Sequence, residues 1–364
     1  MIEFFTQHIW LTGLLAFLIG LSTMPIVLQI ARKQHFVVRP NKRTSHTGEI
    51  PNIGGVNIFF SVMLIFLLFC SDELKDMQFL LIGILTIVMV GFIDDVLILS
   101  PVSKLLSEMV AGIALIGFAD IRITHLHGLF GIDGLAPWAS YALSFFILAA
   151  IINSFNLIDG IDGLASGLGM IYCLFFAVFF SLAGQNSWAV LSTALIGALA
   201  VFFCYNVFGG KNTKIFMGDS GSLFVGYMLT AFVFRFCETN AYEPLPDYLK
   251  MTAAPAVAIG LLAIPLYDTL RVSLTRLKHR RSPFMPDKNH IHHLLLRTGL
   301  NHIQTTCILI SVSLLCLAVA LLMRNGNMLL LIGIEFTICT ALTILLWRIL
   351  DRKSAKQTAE PAHK

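Results

Sequence analysis

Eleven apolar runs, each about as long as a membrane span, constrain this chain more than any other feature. A helix needs roughly 20 mainly apolar residues to cross a bilayer. The runs lie at about residues 9–30, 53–70, 78–93, 105–119, 139–155, 164–183, 188–207, 222–238, 252–270, 303–323 and 328–347. The fourth, fifth and ninth are the least distinct, so ten spans is the nearest alternative. The pattern predicts an all-α polytopic integral membrane protein.

Composition excludes the soluble and the disordered classes of protein. Only 13% of the residues are charged, 57% are hydrophobic, and the mean hydropathy is +0.81. A soluble domain carries about 25% charged residues, so this chain has too few polar groups to cover a globule in water. The seven cysteines lie in apolar runs without paired spacing. That pattern is typical of small core residues, and it favours neither a disulfide framework nor a zinc site.

Lysine and arginine predict the orientation. Twenty of these residues lie in segments on one side of the predicted spans and four on the other. Basic residues collect on the cytoplasmic side, so we expect the N-terminus outside and the C-terminus in the cytoplasm. The first run follows no basic region, which indicates a retained span and no signal peptide. We expect one integral membrane domain at 1–350 and a cytoplasmic polar tail at 351–364. The Gly-rich outer loop 120–138 could hold a short hairpin.

The segments rich in polar side chains all follow odd-numbered spans, which places a candidate active site on the cytoplasmic face. The first, GFIDDV, ends the third span with Asp94 and Asp95. Two adjacent carboxylates repel each other unless a cation or a proton intervenes. They could orient a basic group or a metal ion, act as a base, or simply mark the end of a span. Lys104 could place a cation near a phosphate, or it could be a lysine reaching toward the interface.

The second segment, NSFNLIDGIDGL, repeats a polar residue at every third position: Asn153, Asn156, Asp159 and Asp162. Residues three apart are neighbours on a helix, so these four predict one polar face at a helix end. Four oxygen-bearing side chains suit a hard cation such as Mg²⁺. A capped helix end with an Asp-Gly turn is the alternative.

The third segment, KIFMGDSGSL, sets Asp219 in a glycine-rich turn that opens the eighth span. Glycines let the backbone approach a ligand, and a helix N-terminus offers free N–H groups to an anion. Asp219 could bind a metal ion on that anion. An aspartate that only caps the helix is the alternative.

The fourth segment is the long loop around SPFMPDKNHIHHLLLRTGL, with Arg276 before it. His290, His292 and His293 stand beside Asp287, Lys288 and Arg297 and predict a cationic or hydrogen-bonding pocket for an anion or a sugar. Two histidines three apart could also share a zinc ion, but no HExxH motif and no cysteine accompanies them. A solvated loop is the third interpretation.

These four segments fit one chemical task. Two phosphate groups must approach each other, and Mg²⁺ with Lys, Arg and His can screen their repulsion and stabilise a phosphoryl-transfer transition state. A membrane body supplies a groove for a lipid acceptor. A secondary transporter would carry its acids near the midplane of the bilayer, and a CDP-alcohol phosphotransferase would show an AR pair after its DG. A non-catalytic scaffold does not explain the acids.

The ordered set of motifs resembles the polyprenyl-phosphate N-acetylhexosamine-1-phosphate transferase family. That family includes MraY-, TagO- and WecA-type enzymes and the eukaryotic dolichyl-phosphate GlcNAc-1-phosphate transferase. The resemblance runs from RPNKRTSHTGEIPNIGG through DD, NxxNxxDGxDGL and FMGDSGS to SPFMPDKNHIHH. The HIHH form is most similar to the bacterial WecA-type members, which prime O-antigen or enterobacterial common antigen synthesis.

The resemblance implies a reaction. UDP-GlcNAc and undecaprenyl phosphate would give undecaprenyl-diphospho-GlcNAc and UMP in the bacterial inner membrane, with Mg²⁺ or Mn²⁺ as cofactor. Other UDP-N-acetylhexosamines are the alternative donors. It also implies contact with the lipid bilayer, no nucleic acid partner and, as a further expectation, a homodimer.

The resemblance also implies roles for individual residues. Asp219 would bind the metal ion, with Asn156. Asp94 and Asp95 would position or deprotonate the lipid phosphate, and Lys104 would contact phosphate. The PNIGG turn at Gly54 and Gly55 would border the site. The remaining residues would bind or act on the sugar nucleotide: Asp159, Asp162 and His290 as further catalytic residues, and Asn153, Asn206, Phe216, Arg276, His292 and His293 as substrate contacts.

Overall fold

The computed structural model describes residues 8–38, 50–70, 73–97, 99–280 and 289–359, and these ranges are mostly helical. Most of the helices begin and end near the limits of the predicted apolar runs. The helices are α1 (Ile9–Lys33), α2 (Gly54–Phe69), α3 (Leu74–Leu97), α4 (Pro101–Gly112), α5 (Pro137–Ile158), α6 (Leu164–Leu182), α7 (Asn186–Val207), α8 (Gly218–Tyr242), α9 (Ala254–Leu261), α10 (Ala263–Lys278), α11 (Ile291–Arg297), α12 (His302–Leu322) and α13 (Met328–Ala359).

The polytopic helical character is confirmed. Nine helices in the described ranges are long and apolar enough to cross a membrane. One of them is α4 together with the π-helical turn Ile113–Phe118 that continues it. The pair α9 and α10, bent by 78° at Leu262, would make a tenth span. The second predicted run corresponds to α2, which has only 16 residues. The count of eleven and the sides of the two termini stay predictions.

Two short antiparallel sheets accompany the helices. β1 (Val37–Val38) pairs with β2 (Ile50–Pro51). β3 (His125–Leu129) pairs with β4 (Ile132–Gly134), with an irregular register between them. The second pair lies within 120–138 and confirms the hairpin expected there. The fold is therefore almost, but not entirely, helical.

Helix α13 continues to Ala359, beyond the boundary that we expect at residue 350. The first nine residues of the predicted tail are thus helical, because polar residues with good helix propensity extend the last apolar run. Residues 360–364 lie outside the described ranges. The division into one domain and a tail stays a prediction.

All seven cysteines are free. Five of them are buried, and Cys204 and Cys307 are exposed. They lie where small apolar residues pack, as their sequence surroundings predict.

Helix α8 forms the centre of the bundle. Of the 18 residues in its most apolar stretch, 94% are buried. In the equivalent stretches of α1 and α13, only 28% of the residues are buried. It packs against α2, α3, α5 and α6. The outer helices instead expose large apolar side chains along their length, which suits contact with lipid. The most enclosed helix therefore begins at the GDSGS motif.

Glycines let α2 and α3 approach the start of α8 closely. An added Cβ at Gly55 would lie 2.1 Å from the nitrogen of Gly221, and one at Gly91 would lie 2.5 Å from the Cα of Ser220. Small residues at such crossings permit backbone contact between membrane helices. This contact brings the carboxyl end of α3, with Asp94 and Asp95, to the amino end of α8.

We expect Gly55→Ala and Gly91→Ala each to lower the stability of the folded protein by about 1–3 kcal/mol, the usual range for overpacking. The added methyl group meets backbone atoms, which cannot turn aside. Gly333→Ala, on α13, is the matched control, because a Cβ there has no atom within 4 Å. The measurement is the apparent melting temperature of the purified protein in detergent. Equal melting temperatures for all three variants would contradict the close packing.

Candidate active site

Two groups of polar side chains lie where helix ends meet. The lysine cluster consists of Asp94, Lys104, Asn156 and Asp219, which come from α3, α4, α5 and α8. The histidine cluster consists of Asp268 and Arg271 on α10 with His290, His292 and His293. An acidic loop, residues 159–163, lies between α5 and α6. These three elements contain most of the residues predicted for the site.

Lys104 is at the centre of the lysine cluster. Helix α4 begins with Ser100 as N-cap, whose side chain accepts a hydrogen bond from Ser103 N, and with Pro101 at its first position, two ordinary start signals. One turn later, Lys104 Nζ lies 3.1 Å from Asp94 Oδ2 and donates to Asp219 Oδ1. It lies 3.4 Å from Asn156 Oδ1. Three side-chain oxygens thus surround one ammonium group.

Asp219 and Asn156 also contact each other. Asn156 Nδ2 donates to Asp219 Oδ1 and, at 2.7 Å, to Ser222 Oγ. Gly218 opens the helix with φ +75°, a region that favours glycine. A Cβ there would also meet Asn52 O at 2.5 Å. The GDSGS sequence is therefore needed to turn the chain and present Asp219 to the cluster.

The adjacent carboxylates Asp94 and Asp95 have different partners. Asp95 accepts hydrogen bonds from the backbone nitrogens of Asp219 at 2.7 Å and Ser220 at 3.0 Å, and from Asn52 Nδ2 at 2.9 Å. It therefore caps the N-terminus of α8. Asp94 faces Lys104 and accepts from Leu99 N at 2.6 Å. The two carboxylates thus face different partners, and the contact with the lipid phosphate that we expect of both stays a prediction.

The acidic loop holds two different carboxylates. Among the described residues, none donates a hydrogen bond to the side chain of Asp159. Burial raises its pKa to about 7, and the charges of Asp219, Asp95 and Asp162 add to that effect. Asp162 accepts from Lys214 Nζ at 2.7 Å and pairs with His302 Nδ1 at 2.9 Å. Burial alone would raise its pKa, but these hydrogen bonds and positive charges outweigh burial and lower it.

Asn153 and Asn206 are already bonded within the protein. Asn153 Nδ2 donates to Glu108 Oε2 at 2.6 Å and to Ala149 O. The side chain of Asn206 is buried, accepts from Gly163 N at 2.7 Å and donates to Ile215 O at 2.9 Å. It joins the acidic loop to the segment before α8. Both groups of its side-chain amide are thus bonded within the protein, and the substrate contact that we expect of Asn206 stays a prediction.

The PNIGG turn borders the site through Phe216. The backbone of Phe216 donates to Pro51 O at 2.8 Å and accepts from Gly54 N at 2.9 Å, and Gly55 N donates to Met217 O at 2.8 Å. The side chain of Phe216 is half-buried. The turn and the segment that leads into GDSGS are thus joined by backbone hydrogen bonds, and the role of Gly54 and Gly55 at the border of the site stays a prediction.

The histidine cluster is built on Asp268. Its buried carboxylate lies 2.9 Å from His290 Nδ1 and accepts from Ile291 N at 3.0 Å. Arg271 donates to the same carboxylate at 2.8 Å and to Asn289 O. His290 Nε2 is buried and has no hydrogen-bond partner among the described residues. Asp268 thus fixes the ring of His290 and leaves its second nitrogen available.

His292 connects the histidine cluster to the acidic loop. Its ring stacks on His290, with ring centroids 5.8 Å apart, and lies 4.2 Å from that of His293. A Cβ at Gly160 would lie 2.4 Å from His292 Nε2, so the acidic loop contacts this ring directly. Burial, with the neighbouring charge of His293, lowers the pKa of His292 to about 3. His292 is therefore neutral and can offer hydrogen bonds but no charge.

Arg276 is buried on α10, two turns after Asp268, and shares its face of the helix. The other residues predicted for this loop, Asp287 and Lys288, lie outside the described ranges. If the pocket is cationic, its charge therefore depends on Arg271 and Arg276. His292 can contribute hydrogen bonds to it.

Sequence reasoning missed three residues. Asp268 lies in the ninth predicted span, and a charge at that point is the signal that could have identified it. Glu108 also lies within a predicted span and is fully buried. His302 begins α12, far in sequence from Asp162, and no local signal connects the two.

The lysine cluster offers the chemistry of a divalent cation site. Two carboxylates and one amide oxygen converge on the ammonium of Lys104, and Mg²⁺ prefers such oxygens. Among the described residues, no group of three or more His, Cys, Asp and Glu side chains is arranged to hold a metal ion. A magnesium ion therefore fits Asp219, Asp94 and Asn156 only if Lys104 moves, and the zinc interpretation of the histidines has no support.

Comparisons with known proteins agree with this chemistry. Residues 77–236 match the model of glycosyl transferase family 4. The chain is 31% identical over 317 residues to the undecaprenyl-phosphate alpha-N-acetylglucosaminyl 1-phosphate transferase of Yersinia pestis, which covers 85% of this chain and 81% of that protein. The protein of the same name in Escherichia coli K12 is 31% identical, with 82% and 77% covered. A probable undecaprenyl-phosphate N-acetylglucosaminyl 1-phosphate transferase of Bacillus subtilis is 29% identical, with 91% and 90% covered.

We expect Asp95→Ala to lower the stability of the fold by about 0.5–2 kcal/mol, the usual effect of losing a helix cap, because two N–H groups of α8 lose their acceptor. Asp159→Ala is the matched control, since its carboxylate accepts no hydrogen bond from a described residue. The apparent melting temperature in detergent distinguishes them. A larger loss for Asp159→Ala than for Asp95→Ala would contradict the capping role.

Proposed function

The chain belongs to glycosyl transferase family 4 and is a phosphotransferase that acts on a polyprenyl phosphate, and we propose that it transfers GlcNAc 1-phosphate from UDP-GlcNAc to undecaprenyl phosphate. The products are undecaprenyl-diphospho-GlcNAc and UMP. The same proposal places the protein in the bacterial inner membrane, at the first membrane step of a lipopolysaccharide glycan of the O-antigen or enterobacterial common antigen type. A homodimer stays a prediction.

The lysine cluster is the observation that carries this proposal. It lies where four helix ends meet beside the N-terminus of α8, and its carboxylates and ammonium group are the side chains that bring two phosphates together. The dipole of α8 favours an anion at this end of the helix, where Asp95 already accepts from two of the N–H groups. The sugar nucleotide and the lipid phosphate therefore meet at this point.

A divalent metal ion, Mg²⁺ or alternatively Mn²⁺, is the proposed cofactor. Asp219, with Asn156 and Asp94, would hold it. When bound, it would neutralise charge on the diphosphate. Lys104 contributes positive charge next to the reacting phosphate, and Asp95 keeps the start of α8 in place.

Direct attack is the favoured mechanism. A phosphate monoester has its second pKa at about 6, so the lipid phosphate is mostly dianionic at pH 7 and needs little help from a base. One of its oxygens forms a bond to the β-phosphorus of UDP-GlcNAc. The bond from that phosphorus to the bridging oxygen breaks, and UMP leaves with both electrons. The alternative, an aspartyl-phosphate intermediate, requires a carboxylate free to attack.

The acidic loop and the histidine cluster would bind the donor. Asp159 has no hydrogen bond from a described residue and is available to the nucleotide, whereas Asp162 is held by Lys214 and His302. Arg276 and His293 would contact the diphosphate, and His292 would donate or accept hydrogen bonds without charge. His290, fixed by Asp268, would present Nε2 to the substrate. Phe216 would line the nucleotide end of the site.

We expect purified protein with UDP-[³H]GlcNAc, undecaprenyl phosphate and Mg²⁺ to place label in the lipid phase and to release UMP, and we expect EDTA to stop both. Asp219→Asn should lose nearly all activity, because it loses a charged metal ligand, while Asp94→Asn should retain some. Asp247→Asn, an exposed aspartate on the segment before α9, is the matched control and should be fully active.

Label from another UDP-N-acetylhexosamine, with none from UDP-GlcNAc, would keep the mechanism and change the donor. No label from any sugar nucleotide, in protein that is folded, would reject the proposed reaction and favour a cation-coupled transporter. Equal and complete loss in Asp94→Asn and Asp219→Asn would contradict the separate roles given to them.

We expect Asp268→Asn to lower kcat/KM about 10–100-fold, the range found when a residue that orients a catalytic ligand is lost. The buried carboxylate fixes the ring of His290, so His290→Ala in the Asp268→Asn background should add little further loss. The measurement is a double-mutant cycle in the same transfer assay. Fully additive losses would contradict the coupling.

A further inference from the structure

Lys104 occupies the position that a metal ion would take. Its Nζ lies 3.1 Å from Asp94 Oδ2 and 3.4 Å from Asn156 Oδ1, and it donates to Asp219 Oδ1. These are the oxygens that suit a divalent cation. The side chain of Lys104 is only 14% exposed and that of Asp94 only 8%, whereas that of Asp219 is 29% exposed. The ammonium is therefore enclosed, and the cluster is open on the Asp219 side.

An ammonium group and a magnesium ion compete for these three oxygens. Magnesium binds its ligands at 2.0–2.1 Å in near-octahedral geometry, so an ion that bound all three would lie in the space among them that Nζ occupies. The two cations also repel each other. Without either of them, the carboxylates of Asp94 and Asp219 would stand near each other unscreened. An ion that takes all three oxygens therefore displaces the ammonium group.

We propose that the ammonium group of Lys104 occupies the metal site of this enzyme when no ion is bound, and that metal binding displaces this group toward the phosphate of the substrate. The inference rests on the proposed function and adds an order of events, in which the metal ion binds first and Lys104 becomes available second. Lysine suits this exchange, since its ammonium is a compact charge on a flexible four-carbon stem.

The exchange makes the charge of the site less negative. Asp94, Asp219 and Lys104 together carry one net negative charge, and the carboxylates of Asp95 and Asp159 lie beside them. Such a site repels phosphate. A divalent ion raises the summed charge by two units and frees the ammonium, so the repulsion of phosphate falls. Metal binding thus controls whether an anionic substrate can enter.

The first test is a Mn²⁺ titration of the full-length protein in detergent, followed by electron paramagnetic resonance. Lys104→Met removes the competing charge, so it should bind Mn²⁺ about tenfold more tightly than the wild type, equivalent to about 1.4 kcal/mol. Lys104→Arg keeps the charge and should bind no more tightly than the wild type. Lys214→Met, which breaks the ion pair with Asp162, is the matched control and should leave the affinity unchanged.

The second test needs no variant. A small amine-reactive reagent, read out by peptide mass spectrometry, should modify Lys104 of the wild type several-fold faster with Mg²⁺ than with EDTA. The modification of Lys214 should not change. This measurement decides the matter if Lys104→Met does not fold.

Equal or weaker Mn²⁺ binding by folded Lys104→Met overturns the exchange, as does slower or unchanged labelling of Lys104 in Mg²⁺. Wild-type protein that binds no Mn²⁺ overturns it too. If both tests succeed but no sugar nucleotide is used, the proposed reaction fails and the exchange stands. If metal-dependent transfer occurs but both tests fail, the reaction stands and the exchange does not.

Discussion

The capping of α8 by Asp95 is the interaction on which the rest of the site depends. A helix start leaves four N–H groups without partners, and α8 is the most enclosed helix of the bundle, so water cannot easily serve them. Asp95 accepts from two of these groups. It can do so because Gly55 and Gly91 let α2 and α3 contact the backbone of α8. Once Asp95 is fixed, its neighbour Asp94 necessarily lies close to Asp219.

That arrangement creates a problem of charge. A buried carboxylate needs a counter-charge or several hydrogen bonds, and three sets of partners provide these for four carboxylates of the site. Lys104 pairs with Asp94 and Asp219. Lys214 and His302 pair with Asp162, and Arg271 and His290 pair with Asp268. Asp159 differs, because no described residue donates a hydrogen bond to it and its pKa is raised to about 7.

Much of this could be predicted from the sequence, for physical reasons that also explain the failures. Apolar length determines where helices form, and most of the predicted runs coincide with one helix, whereas the run at 252–270 contains α9 and part of α10. The polar segments meet because they follow alternate helices. Sequence spacing could not show that Asp95 caps a helix 124 residues away, nor that both groups of the Asn206 side chain bond to backbone. The role of Asp268 could not be predicted, because its partner His290 lies 22 residues further along the chain and no sequence motif connects the two. The break between α9 and α10 at Leu262 also lies within one apolar run, so hydropathy alone does not indicate it.

The neutral state of His292 limits where positive charge can come from. Its ring is buried between His290, His293 and the acidic loop, so a proton on it would be costly, and the HIHH motif contributes less charge than its composition suggests. Arg271 is already paired with Asp268, and Lys214 is paired with Asp162. Among the described residues, Lys104 is the ammonium group that lies within the lysine cluster. In the proposed reaction, the histidine cluster would therefore shape the site, and Lys104 with a metal ion would supply positive charge beside the phosphates.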